Sequence, residues 1–406
     1  LIDLGGDNLG ARRSPNVFNI QTPVAIGIGL RESIPNPNEP ATIYYSKIDA
    51  DSRAAKLSCL EGIADFNDCE WSICPDDWHA PFRPIGKGDF FEWPTFDDLF
   101  PWAHSGLQYT RSWPIAETSA QLDTRLQELV SAKPCDRARL FKETSGRDIR
   151  WVPSDKSLDS IFDLSSDAST PEVLRYCFRA FDRQFAIIDR RVCNRIRPPL
   201  LALTKAPNIF LTTLATDRFG IGPSIIATQC LPDYHTFCGR GGQNIIPLYR
   251  DAGASKANVT TGLLGCLSGA LGITVTAEDL AAYVYAVLGG QSYTKRFWNE
   301  LETPGPRIPI TKDKAHFEAG VAFGRRLIWL HTYAERFGSD EWGDQVPKGA
   351  ATTIKGVPTD QKGYPNKFSY DETTKLISVG AGRFGPVAPE IWEFEVSGLK
   401  VVQSWL

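Results

Sequence analysis

The stretch from Pro171 to Leu200, PEVLRYCFRAFDRQFAIIDRRVCNRIRPPL, concentrates arginine in a chain whose formal net charge is −4. Guanidinium groups bind phosphate oxygens and guanine edges through paired N–H donors. Asp182 and Asp189 neutralise only part of this charge. The cluster is therefore either a solvated face crossed by ion pairs or an anion-binding surface. Its seven arginines are Arg175, Arg179, Arg183, Arg190, Arg191, Arg195 and Arg197.

A second candidate is the stretch CGRGGQNIIPLY, from Cys238 to Tyr249. Arg240 stands among glycines, so no bulky neighbour keeps it from a ligand backbone. Gln243 and Asn244 carry amides whose geometry suits adenine. The stretch lacks the lysine and hydroxyl of a phosphate-binding P-loop, which argues against a nucleotide hydrolase. The alternative is a plain surface turn.

Other chemical signatures are weak. The histidines have no metal-ligand spacing, and no G-x-S-x-G turn occurs. Cys69 with Cys74, or Cys230 with Cys238, could be argued into a metal site, but we favour reduced thiols. LIDLGGDNLG has the wrong context for a glycine-rich cofactor loop, and the Asn/Asp-Pro-Pro-Tyr loop of adenine methyltransferases is missing. We therefore predict no catalytic residue and no metal. PDYH, from Pro232 to His235, could touch a ligand, whereas His331 is expected to pack in the interior.

Composition places the chain among globular proteins with a real core. It has 406 residues, 42% hydrophobic and 23% charged. It has no apolar run long enough for a bilayer and no N-terminal signal pattern. Its nine cysteines are scattered without a C-x-x-C pair, so we expect reduced thiols and a cytoplasmic protein. It also contains no methionine, which is unusual at this length; we expect some to be missing, so spacings can be a residue short.

Charge is distributed unevenly along the chain. Acidic residues dominate between Glu61 and Phe100, where Trp71, Trp78 and Trp93 also lie, and basic residues dominate between Glu172 and Lys256. Such asymmetry points to partners rather than to fold.

The elements that position the arginines are ambiguous. Thr170, Pro171 and Glu172 are typical of a helix start, and the apolar residues that follow have helical spacing. FAIID would equally suit a buried strand, and both alternatives stay open. The apolar residues with helical spacing are Leu174, Phe178, Phe181, Phe185 and Ile188.

The N-terminal residues predict strands. LIDLGG is one, VFNIQTPVAIGIGL (Val17 to Leu30) is a second and buried one, and ATIYYSKI is the returning strand after the proline-rich turn IPNPNEP. Together they resemble the last hairpin of a larger sheet. Because the chain opens inside a strand, we expect a natural N-terminus further upstream.

The remaining patterns are more regular. Gln121 to Val130 predicts a short helix. Thr276 and Asp279 form a capping box for an apolar helix through Leu288. Further helices are predicted over 292–301 and 314–337, followed by short strands in the last sixty residues.

Three blocks in order resemble the C-terminal specificity region of type ISP restriction–modification enzymes. They are TTLATDRFGIGPSIIATQCLPDYHTFCGRGGQNIIPLY, AAYVYAVLGGQSYTKRFWNELETPGPRIPIT and VAPEIWEFEVSGLKVVQSWL. The resemblance covers most of residues 50–406, and LIDLGGDNLG with NVFNIQTPVAIGIGL is similar to the last strands of the family's methyltransferase domain. One departure is CFRAFD, where the family often has Tyr-Arg-Pro-Phe-Asp, so the backbone at Ala180 is in question.

The resemblance implies a mixed α/β fold, with edge strands of a Rossmann-like methyltransferase sheet followed by an α+β target-recognition domain. The expected division is residues 1–50 for the methyltransferase strands, 51–170 for a connecting part, and 171–406 for the recognition domain.

The implied function is sequence-specific recognition of double-stranded DNA, which directs adenine methylation and cleavage by other domains in phage defence. The implied partners are duplex DNA and the methyltransferase, helicase and nuclease domains of the parent polypeptide. S-adenosylmethionine would serve the intact enzyme and not bind this chain alone. Phe18 matches the position whose ring can stack on a flipped adenine, although a core role is equally open. Side-chain chemistry, rather than the resemblance, selects the DNA contacts: Arg179, Arg183, Arg190, Arg191, Arg195, Arg240, Gln243 and Asn244.

Two other functions remain open. The chain could be a fragment of an active S-adenosylmethionine-dependent adenine methyltransferase, although the missing motifs argue against this. It could instead be a carbohydrate- or protein-binding accessory domain of a hydrolase, because tryptophans beside carboxylates between Glu61 and Phe100 could stack on sugars.

Overall fold

The computed structural model describes residues 1–31, 34, 36–76, 82–84, 89–109, 111–165, 171–237, 243–357, 365 and 367–406. Within these ranges the chain forms short strands and mostly short helices, which confirms the mixed α/β class. The strands are β1 (Ile2–Gly5), β2 (Val24–Ile26), β3 (Tyr44–Lys47), β4 (Ser72–Ile73), β5 (Ile115–Ala116), β6 (Glu172–Cys177), β7 (Gln184–Ile188), β8 (Phe210–Leu214), β9 (Ile225–Thr228), β10 (Leu231–Pro232), β11 (Gln243–Pro247), β12 (Thr352–Lys355), β13 (Phe368–Asp371), β14 (Leu376–Val379), β15 (Gly382–Gly385), β16 (Glu395–Val396) and β17 (Leu399–Lys400).

The helices are concentrated between the central and C-terminal strands. They are α1 (Arg53–Glu61), α2 (Phe96–Leu99), α3 (Ser119–Ser131), α4 (Pro134–Phe141), α5 (Pro198–Leu201), α6 (Leu263–Leu271), α7 (Ala277–Leu288), α8 (Gln291–Arg296), α9 (Lys314–His331), α10 (Pro389–Trp392) and α11 (Val401–Trp405). Among the described helices, none has both the length and the apolar character needed to cross a membrane.

The N-terminal sheet has the order β2-β1-β3-β4. LIDLGG forms β1, as predicted, but the predicted hairpin is wrong. β2 pairs antiparallel with one edge of β1, and β3 pairs parallel with its other edge. Most of the segment predicted as a buried strand is loop, and β2 is largely exposed. The side chain of Asn16 holds this loop instead, since its Nδ2 donates to the carbonyls of Gly6 and Thr22.

The arginine-rich stretch is a β-hairpin, so the helix beginning near Pro171 is wrong and the strand alternative is confirmed. β6 pairs antiparallel with β7 in a sheet of order β10-β6-β7-β5. Alternate residues of β7 enter two different hydrophobic clusters: Ala186 packs in one, and Ile187 in the other. A strand that is buried on both faces lacks the alternation of polar and apolar residues that marks a half-exposed strand. Its apolar residues also match helical spacing, so the pattern does not distinguish a strand from a helix.

The helical layer follows the sequence prediction closely. α3 covers the predicted helix, and α7 begins at the capping box of Thr276 and Asp279 and ends at Leu288. α8 is shorter than predicted, because residues 297–299 form a turn and a 3₁₀ helix follows at Glu300–Glu302. α9 ends at His331 rather than Phe337, because Tyr333 and Ala334 adopt positive φ angles of 56° and 66°.

The largest hydrophobic cluster crosses the predicted division at residue 170. It joins Phe96 and Leu99 near α2 to α7 and to Val401 near the C-terminus. This packing does not test the predicted segments 1–50, 51–170 and 171–406, which remain predictions. The short C-terminal strands are confirmed, since β12, β15, β14 and β13 form a sheet in that order.

The close contact of α9 with α7 predicts a stability effect at Gly324. A Cβ atom at this position would lie 1.8 Å from the carbonyl oxygen of Ala282 in α7. Gly324→Ala should therefore force the helices apart and lower the free energy of unfolding by about 2 kcal/mol or more, as measured by urea unfolding. Gly269→Ala in α6 is the matched control, because nothing lies within 4 Å of its added Cβ. It should be neutral or stabilising by up to about 1 kcal/mol; equal effects would contradict this packing.

His331 predicts a pH dependence of stability. Burial lowers its pKa to about 4. Its Nδ1 lies 2.6 Å from the hydroxyl of Tyr285, which accepts the N–H of Ala227 and can donate its own proton only to uncharged imidazole. In the unfolded chain the pKa is about 6.5, so unfolded protein binds the extra proton first. Stability should therefore fall as pH decreases from about 6.5 to about 4.

The expected loss is about 2 kcal/mol between about pH 7 and pH 4.5, measured from urea midpoints. His331→Gln should remove this part of the pH dependence. His316→Gln, at an exposed position, should retain it. If His331→Gln and the unmodified chain lose stability equally, His331 does not cause the effect.

Candidate nucleic-acid interface

The seven arginines divide into three groups by the partners of their side chains. The first group pairs with Glu335, and the second pairs with acids of the 155–189 region. The third has no carboxylate within 4 Å in the part of the chain that the structure describes. The groups are Arg175 and Arg183; Arg190 and Arg191; and Arg179, Arg195 and Arg197.

Arg191 forms a buried ion pair and Arg190 an exposed one. Arg191 is 6% exposed, and its guanidinium donates to both carboxylate oxygens of Asp189, with the shortest contact at 2.6 Å. Arg190 donates to Asp155 at 2.8 Å and is more exposed. The structure thus contradicts the prediction of Arg191 as an accessible contact, because removing its guanidinium from Asp189 would leave a buried carboxylate unpaired.

Arg179, Arg195 and Arg197 surround the PDYH segment. The side chain of Arg179 donates to the carbonyl oxygen of His235 at 3.3 Å, and that of Arg197 donates to the carbonyl of Gly106 at 3.0 Å. The backbone of Arg195 pairs with Gln108, and its side chain is exposed. We call the set Arg179, Arg195, Arg197, Tyr234 and His235 the PDYH surface.

A buried carboxylate fixes the PDYH segment. Asp233 is 1% exposed and accepts a hydrogen bond from the hydroxyl of Tyr176 in β6. It also accepts the backbone N–H of His235 at 2.6 Å. Burial, followed by the nearby charge of Asp233, raises the pKa of Tyr176 well above its usual range, so the phenol stays a donor. This bond ties the arginine hairpin to the segment that carries Tyr234 and His235.

The segment before β5 closes the surface from the other side. Leu107 donates its backbone N–H to Pro232, and Tyr234 donates its backbone N–H to Leu107 at 2.6 Å. Gly106 permits this crossing, because a Cβ there would lie 2.6 Å from the backbone of Asp233. Sequence reasoning singled out PDYH but gave no role to its Asp233 and missed Gly106, because both roles depend on contacts between distant segments.

Positive charge accumulates at the PDYH surface. Burial, followed by the charge of Arg195, lowers the pKa of Arg197. Two neighbouring cations without a carboxylate attract an anion. The arrangement is therefore suited to contacts with phosphate groups.

The second predicted block joins this surface along the chain. Arg240 lies outside the described residues, as does the side chain of Gln243. Asn244 is half-buried in β11, where it pairs with Thr213 of β8.

Phe18 lies away from the core. Its ring is 55% exposed, and its backbone N–H donates to the side chain of Asn16 at 2.8 Å. The alternative that Phe18 is a core residue is therefore wrong, and an exposed ring on an anchored loop is available for stacking.

The glycines after β1 do not offer a cofactor loop. A Cβ on Gly6 would lie 2.6 Å from Nδ2 of Asn16, so this side chain fills the turn. Ser14 Oγ accepts the N–H of Gly6 at 2.8 Å and occupies the adjoining space. These residues do not fit S-adenosylmethionine.

One carboxylate joins the N-terminal sheet to the rest of the chain. Glu302 accepts from Arg12 at 2.7 Å, Arg83 at 2.9 Å and Arg218 at 2.8 Å. Burial alone would raise the pKa of Glu302, but the hydrogen bonds and charges of Arg218 and then Arg12 lower it to about 2. The guanidinium of Arg12 also stacks on Trp298 at 3.6 Å. We call these three arginines and Glu302 the Glu302 clamp.

The acidic, tryptophan-rich stretch has structural roles. Trp93 packs edge-on against Phe297 at 5.2 Å. Asp68 and Asp98 cap short helices through their side chains. Trp78 lies outside the described residues. Trp93 is therefore not available as a platform for sugar stacking.

The cysteines and histidines give no metal centre. The described cysteines, including Cys69, Cys74 and Cys230, are free thiols, and Cys238 lies outside the described residues. Where the structure places side chains, no three histidine, cysteine, aspartate or glutamate residues come together to hold a metal ion.

Solved structures show the same fold. The chain aligns with the "cryoEM structure DrdV-DNA complex" over 100% of its length, with a TM-score of 0.64 and 18% identity, covering 42% of that chain. It also aligns with a nuclease-deletion mutant of the Type ISP restriction-modification enzyme LlaGI in complex with a DNA substrate mimic, covering 99% of this chain and 32% of that one, with a TM-score of 0.62 and 17% identity. The ATP-dependent Type ISP restriction-modification enzyme LlaBIII bound to DNA matches over 99% of this chain and 27% of that one, with a TM-score of 0.62 and 18% identity.

The chain thus spans less than half the length of these structures. The search among curated proteins found no match. The profile of the family described as the Type ISP C-terminal specificity domain matches residues 98–406. The resemblance inferred from the three sequence blocks is confirmed, and the chain belongs to the family of Type ISP C-terminal specificity domains.

Proposed function

We propose that this chain recognises a specific sequence in double-stranded DNA as part of a Type ISP restriction–modification enzyme. The observation that carries the proposal is the PDYH surface, where three arginines without a carboxylate partner surround one anchored segment. Family membership supports it. The structural relatives named above, which were solved with DNA or a DNA mimic, support it as well.

Arginines of the PDYH surface bind backbone phosphates and set the position of the duplex. Such contacts supply affinity but little sequence information. Arg240, Gln243 and Asn244, which follow PDYH in the sequence, are proposed as the base-reading residues. Arg191 stabilises the hairpin through its buried ion pair with Asp189 and does not contact DNA. Arg190, whose ion pair with Asp155 lies at the surface, serves as the comparison for charge loss outside the PDYH surface.

The N-terminal residues belong to the edge of a Rossmann-like methyltransferase sheet. β1 and β3 are parallel, as in such sheets, and β2 is antiparallel to β1. In the parent polypeptide, other residues bind S-adenosylmethionine, because Asn16 fills the glycine turn here. Recognition by this chain places one adenine for methylation and licenses translocation and cleavage by the helicase and nuclease domains.

A methyltransferase fragment active by itself is the second candidate. Only the exposed ring of Phe18 favours it. Methyl transfer from labelled S-adenosylmethionine by this chain alone would support this candidate over pure recognition.

Charge removal at the PDYH surface tests DNA binding. Arg195→Ala should weaken binding to a random duplex about fivefold at ~0.1 M salt, and should reduce the slope of log K against log salt by about 0.9 for one lost phosphate contact. Arg190→Ala removes the same charge from a position paired with Asp155. It should change neither quantity, as measured by fluorescence anisotropy at two salt concentrations.

Two results would contradict the proposal at different levels. An unmodified chain that shows neither a salt slope nor a preference within a duplex library would refute DNA recognition. Equal losses from Arg190→Ala and Arg195→Ala would refute the PDYH surface as the contact face.

Phe18 tests the link to methylation in the parent polypeptide. Phe18→Ala should lower single-turnover methyl transfer at least about tenfold, since stacking on an unpaired base contributes about 1–3 kcal/mol. Phe18→Tyr keeps a ring and should retain most of the rate. The melting temperature should not change, because the ring is exposed. A normal methylation rate in Phe18→Ala would show that the ring does not hold the base.

A further inference from the structure

Glu335 holds three donors that come from separate parts of the fold. Its carboxylate lies 3.0 Å from the guanidinium of Arg183 and 3.7 Å from that of Arg175. Its second oxygen accepts from the side-chain amide of Gln229 at 2.9 Å. Two cations and an amide that converge on one anion form the kind of pocket that also fits a phosphate oxygen pair.

The turn that carries Glu335 has an unusual backbone. Tyr333, Ala334 and Phe337 all adopt positive φ angles between 56° and 66°. Residues other than glycine pay roughly 1 kcal/mol for this conformation. The hydroxyl of Tyr333 donates to the carbonyl of Phe181 at 2.6 Å, which fixes the turn against the arginine hairpin. The strain therefore serves to bring Glu335 to the arginines.

Two guanidinium groups share one carboxylate at this site. Glu335 is the one acid within ion-pair distance of Arg175 and Arg183 among the described residues. Its side chain is 35% exposed, and those of Arg175 and Arg183 are 42% and 33% exposed. The ion pairs are therefore open to exchange with an outside anion.

We propose that Arg175, Arg183 and Gln229 form a second binding place for a DNA phosphate, which the carboxylate of Glu335 occupies in the free protein. This inference rests on the proposed DNA recognition. A phosphodiester carries one negative charge, like the carboxylate, so the exchange leaves the arginines paired and releases Glu335 into water. The internal competitor weakens binding to DNA that does not also satisfy the PDYH surface.

Replacing the competitor tests the proposal. Glu335→Gln should bind a random duplex about fivefold more tightly, and the slope of log K against log salt should steepen by about 0.9, because one more phosphate is neutralised. Glu278→Gln is the matched control: Glu278 is 39% exposed and pairs with Arg325 at 3.3 Å. It makes the same charge change elsewhere and should leave the slope unchanged.

A double-mutant cycle locates the gain. Arg183→Ala should weaken binding strongly in the Glu335→Gln background and only slightly in the unmodified chain, where Glu335 already occupies Arg183. Glu335→Ala is a second variant, used in case the new amide of Glu335→Gln disturbs folding, and it should show the same gain in DNA binding. Melting curves check that both variants are folded.

The outcomes separate this inference from the proposed function. If the unmodified chain binds DNA with a salt slope but Glu335→Gln changes it no more than Glu278→Gln, the second phosphate place is refuted and DNA recognition stands. If Arg183→Ala has equal effects in both backgrounds, Glu335 does not compete with DNA. If the unmodified chain shows no salt-dependent DNA binding, both ideas fall together.

Discussion

The hydrogen bond from Tyr176 to the buried carboxylate of Asp233 holds the candidate interface together. It joins the arginine hairpin to the segment that carries Tyr234 and His235, although 57 positions separate the two residues in sequence. A carboxylate without these donors would be costly to bury, so the contact persists only if both segments keep their places. Arg179, which follows β6, donates to the carbonyl oxygen of His235 on the segment that this bond holds.

The distribution of carboxylates decides what each arginine of the hairpin does. Asp189 pairs with Arg191 in the interior, Asp155 pairs with Arg190 at the surface, and Glu335 pairs with Arg175 and Arg183. The side chains of the remaining three have no carboxylate within 4 Å among the described residues. A protein of negative net charge can therefore present a positively charged surface, because its carboxylates pair with some arginines of the hairpin and not with others. Net charge describes solubility and long-range attraction, whereas the local pairs describe the binding surface.

Local sequence rules predicted the parts of the fold that local forces determine. The capping box at Thr276 and Asp279, the helix over Ser119–Ser131 and the C-terminal strands all follow from nearby residues. The sequence did not decide between a helix and a strand for the arginine-rich stretch, because burial on both faces removes the alternation of polar and apolar residues that marks a strand. Partners such as Arg183 and Glu335, which lie 152 positions apart, leave no trace in local spacing. From the sequence, the candidate site could be predicted only as a cluster of arginines. The division of these arginines into three groups depends on tertiary contacts.

The Glu302 clamp limits how such proteins can exchange specificity. Its acid lies in the matched specificity region, but Arg12 and Arg83 lie before that region begins at residue 98. A recombinant that joined a foreign specificity region to this N-terminal part would inherit both arginines from one parent and their acid from the other. A donor without an acid at the matching position would leave Arg12, whose side chain is 8% exposed, without the carboxylate that it contacts here. Swapping of target specificity during evolution, or by design, is therefore restricted to donors that keep an acid at the position of Glu302.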